Sequence, residues 1–391
     1  MKVFLCVLDS FGVGGAPDAD RYGDEGADTV GNTARAVGGI AAPNLARLGL
    51  GCLTVIEGVP PEPGPGTARA AMAERSAGKD TTTGHWEIGG IVLDRPFPLY
   101  PEGFPPSVMG PFEERVGLPA LGNRPASGTR IIEELGEEHL ATGRPIVYTS
   151  GDSVFQIAAH KDVAPLDRLY EWCRIAREVL TGEHRVGRVI ARPFVGRPGS
   201  FQRTHERRDF SVEPPGPTYL ERVQEAGIPV FGVGKIPDIF VNRGLTESRH
   251  SESNDDGIDL SIAYLARADD VLVVTNLVDF DTAFGHRNDP EGYADCTERF
   301  DRRLPELLEA VGPGLLLLTA DHGCDPTDMA STDHTRELVP VLAGGGALDA
   351  RPPVWLGVRD TFADLGATVA DLFGAPVDLE GTSFAAELGL R

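Results

Sequence analysis

The stretch Leu315–Gly323, LLLLTADHG, decides the fold class. Four leucines, a threonine and an alanine stop at an adjacent carboxylate and imidazole, Asp321-His322. A short apolar run closed by polar residues reads as a strand buried on both faces, which requires helices on both sides of its sheet. The form recurs. V-F-L-C-V-L at Val3–Leu8 stops at Asp9-Ser10, and V-L-V-V-T-N-L-V at Val271–Val278 stops at Asp279-Phe280-Asp281, with His286 five residues beyond Asp281. A fourth polar group, Thr332-Asp333-His334-Thr335, precedes the apolar run at Val339.

Working outward, strands are expected at Val3–Leu8, Pro229–Val233, Asp270–Asn276, Leu315–Ala320 and Val339–Ala343. Helical patterns lie between and around them at Thr29–Val37, Pro43–Leu48, Thr218–Ala226, Gly257–Ala266, Pro290–Ala310 and Thr361–Phe373. This alternation predicts an α/β core with a parallel sheet flanked by helices. Proline-rich punctuation at Pro96, Pro98, Pro101, Pro105 and Pro106, and again at Pro214, Pro215 and Pro217, brackets a segment of different texture. It is read as an inserted, smaller α/β domain, giving core residues 1–96, an insert at 97–216 and the rest of the core at 217–391. Within the insert, strands are expected near Pro145–Thr149, Ile157–Ala159 and Val186–Ala191, and helices near Thr129–His139 and Leu166–Leu180.

A length of 391 residues favours two domains, and 41% hydrophobic with 24% charged residues is the composition of a folded protein. The net charge of −23 opposes contact with phosphate backbones and anionic lipid, so nucleic acid and membrane are excluded as expected partners. Cys6, Cys52, Cys173, Cys296 and Cys324 are scattered without a C-x-x-C pair, which argues against a disulfide framework and a thiolate zinc site. A reducing cytoplasm is the expected compartment. The first apolar run is too short for a signal-peptide core.

Ligands of open α/β sheets bind beyond the carboxyl ends of the strands. Asp9, Asp281, Asp321, His286, His322 and His334 all fall there or beside it. Each alone is more often a cap, a turn residue or a surface side chain. Together they offer oxygen and nitrogen donors that suit Mn²⁺, Zn²⁺ or Fe²⁺, in a number that exceeds one tetrahedral ion. A second concentration of signal is A-G-K-D-T-T-T-G-H-W-E at Ala77–Glu87, a glycine-flanked turn opening a helix. Such a turn presents backbone N–H groups to phosphate, and a hydroxyl there is a candidate nucleophile. Ala73 and Asp80 exclude a Walker A loop, and Pro17 after Gly12-Val13-Gly14 excludes a Rossmann fingerprint.

D-S-F-G-V-G at Asp9–Gly14, G-K-D-T-T-T-G-H-W-E at Gly78–Glu87, N-L-V-D-F-D-T-A-F-G-H-R at Asn276–Arg287, T-A-D-H-G-C-D-P-T at Thr319–Thr327 and T-D-H-T-R-E at Thr332–Glu337 together resemble the phosphopentomutases of the alkaline phosphatase superfamily. The resemblance runs over nearly the whole chain. It implies an alkaline-phosphatase-like core with an inserted cap, and interconversion of the 1- and 5-phosphates of ribose and deoxyribose. It implies two Mn²⁺, with Zn²⁺ as an alternative: one held by Asp281, His286 and His334, the other by Asp9, Asp321 and His322, with Thr81 between them as the phosphorylated nucleophile. Asp152 in T-S-G-D-S-V, Arg192 in V-I-A-R-P-F, Arg203 and Arg207 in Q-R-T-H-E-R-R-D, and Lys235 in V-G-K-I resemble contacts to the sugar and its distal phosphate. A sugar bisphosphate activator, pentose phosphate substrates and a monomer are the remaining expectations. One departure is a His322 to His334 spacing one residue longer than the family pattern, through Asp328-Met329-Ala330-Ser331, which should alter a loop and not a ligand. The rival readings are another phosphoryl-transfer enzyme on the same core, a non-catalytic metal-binding scaffold, and a nucleotide-binding oxidoreductase.

Overall fold

The computed structural model describes residues 1–391, which form two compact units: residues 1–96 with 214–391, and residues 97–213. The second boundary falls at Glu213, ahead of the prolines at 214, 215 and 217.

The first unit opens with β1 (Lys2–Leu8), α1 (Thr29–Val37), α2 (Pro43–Leu48), β2 (Ala68–Met72) and α3 (Thr81–Ile88). The second unit carries α4 (Pro106–Val116), β3 (Leu121–Pro125), α5 (Gly128–Thr142), β4 (Ile146–Thr149), β5 (Val154–His160), α6 (Leu166–Val179), β6 (Arg188–Val195), β7 (Gln202–Arg203) and β8 (Arg208–Ser211). The first unit resumes with α7 (Tyr219–Glu225), β9 (Val230–Val233), α8 (Ile236–Ile239), β10 (Glu247–Arg249), α9 (Asn254–Leu265), β11 (Val271–Leu277), α10 (Pro290–Val311), β12 (Leu315–Thr319), β13 (Val339–Gly344), β14 (Val354–Arg359) and α11 (Ala363–Leu372). No helix is long and apolar enough to cross a membrane.

The eight strands of the first unit lie in the order β10-β9-β11-β1-β12-β13-β2-β14. β11, β1 and β12 are buried along their whole length apart from the first residue of β1, as their largely apolar sequences demand. Their registers pair Leu8 with Leu277 and Val7 with Thr319, so all three end at one level. The sheet is mixed, which corrects the expectation of a parallel one: β13 runs antiparallel to both β12 and β2. The cause is local. Residues 320–338, between β12 and β13, contain no helix to carry the chain back, so β13 starts from the edge where β12 ends. That reversal brings His334 to the same edge. β2, paired Met72 to Val339, also ends there and leads into the turn before α3.

The second unit has its own sheet, β3-β4-β5-β6-β7 with β8 also on β6, and two apolar clusters. One packs Phe104, Phe112, Phe155, Leu169 and Trp172, and the other Ile131, Ile132, Tyr148 and Phe194.

The turn before α3 is tied to the start of β13 by Arg336, whose side chain is 2% exposed. Its guanidinium donates to Glu74 Oε2 at 2.7 Å, to Asp18 Oδ1 at 3.1 Å, and to the carbonyls of Glu74, Ser76 and Gly78 at 2.6, 2.8 and 2.7 Å. Removing one partner of a buried ion pair leaves the other charge uncompensated, at about 3–5 kcal/mol. Arg336→Met is therefore expected to lower the unfolding free energy by about that amount in urea titration, and Arg336→Lys to recover only part, because an ammonium cannot span so many acceptors.

Candidate metal centre

The level ends of β1, β11 and β12 place Asp9, Asp281 and Asp321 together, each nearly or wholly buried. Asp9 Oδ1 lies 3.5 Å from His322 Nε2, and Asp321 Oδ2 lies 3.4 Å from the same nitrogen. Asp281 Oδ2 is 3.3 Å from His286 Nε2, and its Oδ1 is 3.7 Å from His334 Nε2. Two donor groups close within 4.8 Å: Asp281 with His286 and His334, and Asp9 with Asp281 and His322. Asp281 is thus common to both, while Asp321 reaches the second through His322.

The imidazoles are oriented by their other nitrogens. His286 Nδ1–H donates to the Thr332 carbonyl at 2.6 Å and His322 Nδ1–H to the Gly323 carbonyl at 3.0 Å, so each turns an Nε2 lone pair to the carboxylates. Asp9 Oδ1, Asp281 Oδ1 and His334 Nε2 are buried without a hydrogen-bond partner. Leaving that many polar atoms unpaired is costly unless a cation satisfies them, and their oxygen and nitrogen character fits a divalent ion.

Charge follows burial. Desolvation, with Asp321 beside it, raises the pKa of Asp9. Burial acts the same way on Asp321, but the His322 and His85 imidazoles outweigh it and hold that carboxyl down. Burial pushes His334 well below the usual imidazole range, and the neighbouring His322 and His286 push it further, which keeps it in the neutral form that ligates metals.

Thr81 begins α3 and points its Oγ1 to His322 Nε2 at 3.1 Å. Asp80 caps the helix, accepting from the N–H groups of Thr82 and Thr83 at 3.1 and 3.2 Å and from the Thr83 hydroxyl at 2.6 Å. Among the three threonines, Thr81 faces the donor groups. Gly84 lets the helix approach: a Cβ there would lie 2.0 Å from the Asp321 carbonyl oxygen. Lys235 Nζ lies 3.5 Å from Asp9 Oδ2.

The remaining residues singled out in the sequence belong to the second unit. Asp152 is exposed, 3.7 Å from Arg188. Arg192 Nε donates to Gln156 Oε1 at 3.0 Å, and Arg207 pairs with Asp209 at 2.7 Å. Arg192, Arg203 and Arg207 all bear electrostatically on the buried phenol of Tyr148.

Sequence reasoning passed over Ser10, His85 and Asn276. Ser10 holds a left-handed backbone, φ 71°, that directs its N–H to Asp321 Oδ1 at 3.1 Å. Asn276 Nδ2 donates to Asp9 Oδ2 at 3.1 Å. The available signal for Asn276 was one amide, beside Thr275, near the carboxyl end of a largely apolar strand.

Residues 1–377 match the Metalloenzyme superfamily. A phosphopentomutase of Anaeromyxobacter dehalogenans (strain 2CP-C) is 58% identical, covering 99% of this chain and 98% of its own. Those of Thermotoga maritima and Caldanaerobacter subterraneus subsp. tengcongensis are 55% and 53% identical, covering 98% and 100% of this chain and 98% of each relative. The chain belongs to the phosphopentomutase family. It is an enzyme of the isomerase class in a metalloenzyme superfamily, on an α/β core with a mixed sheet.

Because Asp281 joins both donor groups, equilibrium dialysis against Mn²⁺ is expected to show two equivalents bound by the intact chain and both weakened in Asp281→Ala. His286→Ala should weaken one. The loss per affected ion should exceed the 10–100-fold typical of changes outside the ligand shell.

Proposed function

We propose that this chain interconverts the 1- and 5-phosphates of ribose and deoxyribose through a phosphorylated Thr81. The observation that carries the reading is the Thr81 hydroxyl, 3.1 Å from His322 Nε2 at the edge where the unpartnered carboxylate oxygens collect. In this reading one Mn²⁺ belongs to Asp281, His286 and His334 and the other to Asp9, Asp321 and His322, with Asp281 also within reach of the second ion through its closeness to Asp9 and His322. Such ions, when bound, neutralise phosphoryl oxygens and lower the pKa of a nearby hydroxyl. Zn²⁺ suits the same donors.

The protein's own groups do the rest. Phospho-Thr81 passes its phosphoryl group to the free hydroxyl of a pentose monophosphate, giving a bisphosphate and a free Thr81 hydroxyl. The bisphosphate turns over, and Thr81 takes the other phosphoryl group, releasing the isomeric monophosphate. Each transfer breaks one P–O bond and forms another, with no net hydrolysis. A sugar bisphosphate would phosphorylate an empty Thr81 and so act as activator. Lys235, Arg192, Arg203 and Arg207 are assigned to the distal phosphate, where charge-assisted hydrogen bonds are strongest, and Asp152 to the sugar hydroxyls. Residues 97–213 are assigned the part of a cap, which keeps water from phospho-Thr81.

A phosphorus NMR time course with ribose 1-phosphate, Mn²⁺ and a trace of sugar bisphosphate tests the reading. Ribose 5-phosphate is the expected product, and inorganic phosphate as the main product would replace the mutase with a phosphatase. Thr81→Ala should abolish turnover without loss of fold, Thr81→Ser should retain a measurable rate, and mass spectrometry should find phosphate on Thr81 and not on Thr82 or Thr83. Asp152→Ala should raise the ratio of inorganic phosphate to ribose 5-phosphate, because a loosened bisphosphate is lost before it turns.

A further inference from the structure

One turn along α3 from Thr81, His85 is 1% exposed and engages both ring nitrogens. Its Nδ1 is 2.9 Å from the Thr81 carbonyl oxygen and 3.0 Å from Asp321 Oδ2, and its Nε2 is 3.3 Å from Asn276 Nδ2. The same Asn276 nitrogen is 3.1 Å from Asp9 Oδ2. Counting donors leaves one solution. A carboxylate only accepts, so Asn276 donates one amide hydrogen to Asp9. Its second is directed at His85 Nε2, which must carry a lone pair. The ring proton then sits on Nδ1 and serves the Thr81 carbonyl, with the positive end of that N–H beside Asp321 Oδ2. On another side the ring borders a cavity of about 20 Å³ lined by Leu5, Val7, Ile88, Phe240 and Val274, too apolar to hold water that could replace these partners.

We propose that His85 and Asn276 are a positioning pair that decides which oxygens of Asp9 and Asp321 face the metal centre and fixes the Thr81 turn relative to both. Asn276 occupies Asp9 Oδ2 and leaves Oδ1 to the centre. The Ser10 N–H occupies Asp321 Oδ1, and the His85 dipole draws Oδ2 toward α3. Neither residue touches the reacting phosphate in this account. The proposal rests on the reading of Asp9 and Asp321 as ligands.

The test is a double-mutant cycle on the full chain with His85→Phe, Asn276→Leu and the combination, read by Mn²⁺ equilibrium dialysis, by kcat and KM for ribose 1-phosphate, and by thermal unfolding. Each single variant is expected to bind at least one Mn²⁺ equivalent 10–100-fold more weakly. Turnover should fall in parallel while KM changes less than about threefold, and the double variant should be little worse than either single one, because the two act as a unit. His85→Asn keeps a donor at the Nδ1 position and should recover part of the lost affinity. A merely structural role would lower the unfolding temperature and leave Mn²⁺ affinity unchanged, and that result, or additive losses in the cycle, overturns the proposal. Should His85→Phe fail to fold, Asn276→Leu and His85→Asn carry the same measurement. Intact chain that binds no Mn²⁺ overturns the metal reading and this inference with it; normal Mn²⁺ binding by the intact chain and the variants alike overturns the inference alone.

Discussion

Asp9, Asp281 and Asp321 are buried at one sheet edge, and ligand oxygens of the first two lie within 4.8 Å of His322 and of each other. Two like charges at 4 Å repel by about 4 kcal/mol even at an effective dielectric constant of 20. Everything around the edge answers that repulsion. Lys235, the Ser10 N–H, the Asn276 amide and the His85 Nδ1–H each stand against a carboxylate oxygen. Several oxygens still lack partners, so the folded chain holds a deficit of positive charge shaped for a cation.

A site with so little tolerance requires a stiff frame, and that frame includes side chains outside the two donor groups. Arg336 joins the start of β13 to the turn before α3. Glu87, at the other end of α3, accepts from the N–H groups of Arg75, Ser76 and Phe362 at 2.9, 2.6 and 3.0 Å and from the Thr361 hydroxyl at 2.7 Å. The helix that begins at Thr81 is therefore anchored at both ends by buried charges. Moving either would move Thr81 relative to carboxylates that the sheet registers hold in place.

The apolar runs made β1, β11, β12 and β13 legible, and with them the edge where the acids gather. β2 was not legible, because A-R-A-A-M has little intrinsic strand preference and becomes a strand only between β13 and β14. The reversal of β13 was equally hidden: its direction depends on what residues 320–338 lack, a crossover helix, and not on anything in the strand. In the second unit, α4 forms across Gly110 and Pro111, which read as breakers, because Val108, Met109 and Phe112 bury in the cluster beneath it. Among candidate site residues, Asp9, Asp281 and Asp321 were legible as edge residues from their place after apolar runs. The orienting ones were not, since an asparagine or histidine in a buried segment has the same local signature whether it satisfies a carboxylate or merely itself.

The sequence of α3 shows chemistry overruling helix preference. T-T-T-G contains three β-branched residues and a glycine, a poor way to begin an eight-residue helix. Three of these four departures have a use at the edge. Thr81 supplies a hydroxyl, Thr83 locks Asp80 as cap, and Gly84 admits the Asp321 carbonyl where any side chain would collide. The helix exists because tertiary contacts offset that weakness: the Asp80 cap, the Glu87 anchor, and Trp86, fully buried with its Nε1–H on the Ile239 carbonyl at 3.0 Å. It also follows that Asp80, the acid nearest Thr81 in sequence, is no ligand. One of its oxygens serves two backbone N–H groups and the other the Thr83 hydroxyl, so the carboxylates open to a cation come from strand ends far away in the chain.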